Sequence, residues 1–112
     1  MKKIFVVLLV LLSLGCSKEL TSEDKLQKVL KEKNYIIIDV RYDYEYNEGH
    51  VVGSINIPYD QIDSSINLDK NKTILVYCKS GKRSEKAYNT LKELGYDVIN
   101  LGAYEKIELE KE

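Results

Sequence analysis

The sequence is short of the residues on which several common kinds of protein depend. It holds two cysteines, Cys16 and Cys78, one histidine, His50, one proline, Pro58, and two arginines, Arg41 and Arg83, among 17 basic residues. Two cysteines so far apart exclude a framework of several disulfides and a CxxC redox pair. One histidine among scattered acids makes no metal-ligand cluster. The formal net charge is −1, so no strongly basic face is expected and nucleic acid is excluded as the expected partner. The one long apolar run, Ile4 to Leu14, spans 11 residues, against the roughly 20 that a membrane helix needs. There is no internal repeat and no low-complexity linker. The 112 residues suffice for one small domain.

The amino end has the layout of a targeting segment. Lys2 and Lys3 precede the apolar run, which closes in Leu14-Gly15-Cys16-Ser17. This ending resembles the lipobox of bacterial lipoproteins, in which a small residue precedes a cysteine that takes lipid and becomes the first residue. The alternative is an ordinary secretory signal that happens to contain a cysteine. The expected division is a lipoprotein signal peptide over 1–15, a tether over 16–20, a folded domain over 21–108 and a tail over 109–112. Lipid on Cys16 would make the protein an exported, membrane-anchored component of a bacterial cell envelope. Each buried CH₂ adds about 0.8 kcal/mol to such an anchor. If Cys16 is lipidated, Cys78 is the remaining free thiol.

Cys78 lies where the chain turns. Ile74 to Tyr77 form an apolar run, Lys79-Ser80-Gly81-Lys82-Arg83 a short polar loop, and Ser84 to Leu94 a helical pattern ended by Gly95. A strand ending in a cysteine, followed by a loop and a helix start, aims N–H groups and a helix dipole at the sulfur. A thiol held there ionises more readily than a free one. Lys79, Lys82 and Arg83 add positive charge where an anion would approach.

The remaining elements alternate. Thr21 to Lys33 has a helical stripe of Leu26, Val29 and Leu30, with Thr21 or Ser22 as cap. Tyr35 to Val40 is a β-branched run of the kind buried on both faces of a parallel sheet. Tyr42 to Glu48 reads as a helical turn with Asp43 as its cap, Ser54 to Ile57 as a short strand, Tyr59 to Leu68 as a loose helix, and Tyr96 to Leu101 as a last strand. A short helix follows Gly102, and the acidic tail is expected to fray. Strand–helix alternation points to an α/β domain, a small parallel sheet of four or five strands with helices on both faces. Asp39 and Arg41 close the first strand and should lie near the cysteine loop, since ligands bind beyond the carboxyl ends of such strands. Asp39 could receive Arg83 or loop N–H groups, or serve in a structural ion pair. His50 could be a general base for Cys78, but a structural, hydrogen-bonded histidine is the favoured reading.

Four stretches together resemble the rhodanese family in its single-domain form: IIIDVR (Ile36 to Arg41), EGHVVGSINIP (Glu48 to Pro58), VYCKSGKRS (Val76 to Ser84) and LGYDVINLGAYEKI (Leu94 to Ile107). Ala103 and Ile107 depart from the family's usual second glycine and tryptophan, and the family's first short strand would have to come from Glu19 to Thr21. The resemblance implies a rhodanese-like fold and sulfur transfer. Cys78 would accept sulfur from a small anionic donor such as thiosulfate, hold it as a persulfide, and pass it to a thiol or cyanide. Lys79, Ser80, Gly81, Lys82 and Arg83 would bind the donor, Asp39 and Arg41 would support the loop, and no metal or organic cofactor is required. Alternatives are a non-catalytic or carrier module of the same fold, a cysteine phosphatase or arsenate reductase, and, weakened by the missing second cysteine, disulfide exchange. Cysteine phosphatases use Cys-x5-Arg, whereas Cys78 and Arg83 are spaced as Cys-x4-Arg.

Overall fold

A computed structural model describes residues 21–112. The expected signal segment and tether, Cys16, and the candidate strand residues Glu19 and Leu20 lie outside the described residues. Helix α1, Ser22–Glu32, is capped by Thr21, whose Oγ1 accepts the Asp24 N–H at 3.0 Å. It ends at Lys33, which turns left-handed at φ 58°. Strand β1 runs Tyr35–Asp39, helix α2 Asp43–Glu48, strand β2 Ile55–Asn56, strand β3 Thr73–Cys78, helix α3 Lys82–Glu93 and strand β4 Asp97–Ala103. Short 3₁₀ turns occupy Tyr59–Gln61 and Tyr104–Lys106. Among the described residues no helix is long and apolar enough to cross a membrane.

The sheet has four parallel strands in the order β2–β1–β3–β4. The alternation of side chains along a strand explains why β3 is apolar without interruption. Ile74, Val76 and Cys78 face Ala87, Leu91, Tyr96 and Val98 in one buried cluster. Leu75 and Tyr77 face Val29, Ile37, Val51 and Ile107 in the other. Thus α3 covers one face and α1 the other, and β3 is the shared middle of both cores. Ile107 is buried in the second core, so it fills space at the position where the resemblance led one to expect tryptophan.

Three expectations change. Asp43 is the first residue of α2 rather than its cap. The preceding residue is Tyr42, whose N–H is accepted by the Glu45 carboxylate at 3.0 Å. The expected helix over Tyr59 to Leu68 shrinks to the turn Tyr59–Gln61. There the Asp63 carboxylate accepts both the N–H and the hydroxyl of Ser65, at 2.9 and 2.6 Å. Such short-range side-chain bonds compete with a helix, and Ile62 and Ile66 anchor a loop to the core instead. The tail does not fray. His50 and Glu112 exchange two backbone hydrogen bonds of 2.8 Å, Val52 donates to Glu110, and Leu109 packs on the second core.

Candidate active site

The carboxyl ends of β1, β3 and β4 meet at one edge of the sheet, and the loop 79–81 leads from Cys78 directly into α3. Cys78 is fully buried. Its Sγ accepts N–H groups from Gly81 at 3.0 Å and from Ser84 at 3.3 Å. The curl needs Gly81, which sits at φ 100°, ψ −10°, outside what a side-chain-bearing residue adopts without strain. A Cβ on Gly81 would make only ordinary contact with Gly102, 3.7 Å from its Cα, so the backbone conformation rather than space sets the requirement. Gly102 belongs to a bulge: Val76 pairs with Asn100, but Tyr77 pairs with Gly102. This irregularity brings the end of β4 behind the loop, a common use of bulges beside sites.

Burial alone would push the Cys78 thiol up. The hydroxyl and N–H of Ser84, with the N–H groups of Gly81 and Ser80, outweigh it and bring the thiol below its ordinary 9.0. The Ser84 hydroxyl has one proton, which goes to the Gly81 carbonyl at 3.1 Å in the resting loop. It can instead turn to the sulfur when that carries charge. Removing this hydroxyl in Ser84→Ala should raise the pH midpoint of Cys78 alkylation by iodoacetamide. The sign for stability follows. A thiol whose folded value is depressed contributes stability above its unfolded value and loses it as pH falls through the folded one. Wild type should therefore gain stability as pH rises through the interval below 9.0, and Ser84→Ala should gain less. Identical alkylation profiles would mean that the backbone alone sets the thiol's acidity.

The basic residues divide. Lys79 and Lys82 are exposed. Arg83 is held in a two-pronged pair, Nη1 to Glu45 Oε1 at 2.8 Å and Nη2 to Oε2 at 3.0 Å, and lies over the Tyr42 ring. The hydrogen bonds to Glu45 raise its pKa, and the charge on Cys78 does so as well. Arg83 therefore adds field to the loop from the side rather than standing free in its mouth. Glu45 was not evident in the sequence, since it is one acid among several in Asp43–Glu48.

Asp39 does not receive Arg83 or the loop. It is fully buried and binds Arg41 through the Arg41 N–H at 2.9 Å, Nε at 2.9 and 3.0 Å and Nη2 at 2.6 Å, while Tyr77 donates its hydroxyl at 2.8 Å. The pleat is the reason. Asp39 is in register with Tyr77, so it projects to the α1 face, whereas Cys78 projects to the α3 face. Burial above all pushes the Tyr77 phenol up to about 12, which keeps it a donor to Asp39. Arg41 also donates to the Gly49 carbonyl at 2.6 Å and stacks on Tyr104 with its guanidinium carbon 4.3 Å from the ring centroid. The pair thus ties β1 to the 49–52 turn beneath the loop. His50 is occupied: its ring stacks on Tyr46, Nδ1 meets the Tyr46 carbonyl at 2.9 Å and Nε2 the Glu112 carboxylate at 3.3 Å.

Comparison with known proteins agrees with this geometry. Residues 22–110 match the family model described as "Rhodanese-like domain". The chain is 38% identical over 85 residues to YrkF of Bacillus subtilis, named as a candidate sulfur carrier protein, covering 74% of this chain and 46% of that one. It therefore spans about half the length of that relative. It is 41% identical over 78 residues to the thiosulfate sulfurtransferase PspE of Escherichia coli, covering 66% of this chain and 75% of PspE. A solved structure titled as a rhodanese with anions from E. coli superposes with a TM-score of 0.62 at 38% identity, over 70% of this chain and 96% of that one. A phosphatase of Caenorhabditis elegans, M-phase inducer phosphatase cdc-25.3, is also similar, 35% identical over 78% of this chain and 29% of its own length.

Proposed function

Since the chain belongs to the rhodanese-like domain family, we propose that it moves sulfane sulfur through a persulfide on Cys78. The observation that carries this reading is the pair of N–H groups, from Gly81 and Ser84, that converge on one sulfur atom. The Cys78 thiolate attacks the outer sulfur of thiosulfate. An S–S bond forms, the donor's S–S bond breaks with its electron pair, and sulfite leaves. Two negative charges depart and one stays on the outer sulfur, where preorganised N–H donors stabilise it. Lys79 and Lys82 attract the anionic donor, and the field of Arg83 assists. A thiol or cyanide then takes the outer sulfur, and Cys78 returns to the thiolate. With lipid on Cys16, the domain would do this at a membrane surface.

The relatives named for sulfur transfer and sulfur carriage support the reading, and so does the loop's size. A Cys-x4-Arg loop curls round one sulfur, and a tetrahedral phosphate needs more N–H groups than it presents. The test is mass spectrometry of the protein after incubation with thiosulfate. Wild type should gain one sulfur atom and lose it on addition of cyanide, whereas Cys78→Ser should gain none. No gain with thiosulfate or any other sulfane donor overturns the proposal. A phosphatase turnover above the rate of sulfur transfer would favour the phosphate reading instead.

A further inference from the structure

Arg83 follows the cysteine loop directly, and the next residue, Ser84, gives its N–H to Sγ at 3.3 Å. Two backbone bonds separate that nitrogen from the Arg83 Cα, which therefore lies within about 6 Å of the sulfur. The guanidinium fork matches the oxygens of an oxyanion in a way that lysine does not, but here the fork is already filled. Nη1 and Nη2 each meet one oxygen of Glu45, at 2.8 and 3.0 Å. Glu45 is held from the other side as well, since its Oε1 also accepts the Tyr42 N–H at 3.0 Å at the start of α2. The Arg83 and Glu45 side chains are 24% and 12% exposed, so salt screens this pair less than it screens the exposed Lys79 and Lys82. The hydrogen bonds from Arg83 hold the Glu45 carboxyl below its ordinary range, and the carboxylate stays charged at neutral pH. At the sulfur the pair acts as a dipole, where Arg83 alone would act as a cation.

We propose that Glu45 is a positioning residue that sets the charge preference of the site: by occupying Arg83 it weakens the preference for a doubly charged donor over a singly charged one. The inference rests on the sulfur-transfer reading above. The exposed lysines draw any anion from solution, but charges in water discriminate little between one negative charge and two. A cation held close to the sulfur and shielded from water does so strongly, and Glu45 cancels the one the loop supplies. The chemistry is the same for both kinds of donor. The Cys78 thiolate forms a bond to the outer sulfur, and the donor's S–S bond breaks with its electron pair on the departing group. Thiosulfate releases sulfite, and methanethiosulfonate releases methanesulfinate. The two donors differ by one charge, and that charge lies on the group that departs.

Glu45→Gln keeps a carbonyl for the Tyr42 N–H and removes the charge. It should raise the ratio of kcat/KM for thiosulfate to that for methanethiosulfonate about tenfold, the lower end of what one hydrogen bond to a charged group contributes, with the gain in KM rather than kcat. Alkylation of Cys78 supplies a reading that needs no sulfur transfer. The rate with iodoacetate divided by the rate with iodoacetamide compares an anion with a neutral reagent on the same thiolate, so the thiol's acidity cancels. This quotient should also rise about tenfold in Glu45→Gln. Glu45→Asp, which keeps the charge, should restore the wild-type quotient, and Glu45→Gln/Arg83→Gln should lose the gain. Glu85→Gln removes an exposed carboxylate from the first turn of α3 that shares no ion pair with Arg83, and it should leave the quotient unchanged. A quotient that falls or stays constant in Glu45→Gln, a rise equally large in Glu85→Gln, or a gain that survives the loss of Arg83 overturns the proposal. If thiosulfate leaves no persulfide while the quotient moves as stated, the sulfur-carrier reading fails and the hold of Glu45 on the charge preference stands. If the persulfide forms while the quotient stays constant, the reading stands and the role of Glu45 falls.

Discussion

Asp39→Ala should destabilise the domain by about 3–5 kcal/mol, the typical cost of removing one partner of a buried ion pair, without abolishing sulfur loading of the molecules that remain folded. Asp39 is fully buried and Arg41 is 6% exposed. The carboxylate accepts the Arg41 backbone N–H, its Nε and Nη2, and the Tyr77 hydroxyl. Removing it strands a cation, a phenol and an amide together inside the α1-side core. Water cannot readily reach them, since Val51 and Tyr77 on that side of the sheet are at most 1% exposed. Urea denaturation followed by circular dichroism measures the loss. A loss below about 1 kcal/mol would place Asp39 in the range of an ordinary exposed pair. The companion variant Asp39→Leu/Arg41→Met should recover part of the stability, because apolar replacement of both partners leaves no buried charge. Recovery will be incomplete, since the Gly49 carbonyl and the Tyr77 hydroxyl still lose Arg41 and Asp39 as partners.

That result would also separate what the chain reveals of itself from what only folding reveals. The strands were legible because β3 and β1 are β-branched and apolar on both faces, a pattern that parallel sheets produce. The cysteine loop was legible because strand, cysteine, glycine and helix start are contiguous, so local geometry decides it. The partners of Asp39 and Arg83 were not, because they depend on register. Asp39 pairs across the sheet with Tyr77, and a shift of one residue would have turned it toward Cys78. Glu45 reaches Arg83 from 38 positions earlier in the chain, and no local pattern marks it among its neighbours. The loose helix over Tyr59 to Leu68 failed for a local reason that periodicity ignores. Isoleucines at helical spacing mattered less than Asp63, which captures Ser65.

Gly81→Ala should slow persulfide formation about a hundredfold while leaving the domain folded. Gly81 holds φ 100°, and an L-residue there costs about 1–3 kcal/mol of backbone strain. The loop can relieve that strain by swinging residue 81 to a negative φ. The same swing withdraws the Gly81 N–H from Sγ, now at 3.0 Å. Loss of one preorganised donor to a developing anion costs about 10²–10³ in rate, and it also returns the thiol toward its ordinary acidity. Strain alone is controlled for by Gly53→Ala. Gly53 has φ 84°, and an added Cβ there would meet nothing within 4 Å, so that variant carries backbone strain of the same kind without touching Cys78. Both variants should lower the melting temperature, but only Gly81→Ala should slow sulfur loading from thiosulfate. If the two slow it equally, the defect is one of general stability, and the cradle of N–H groups is not what holds the sulfur anion.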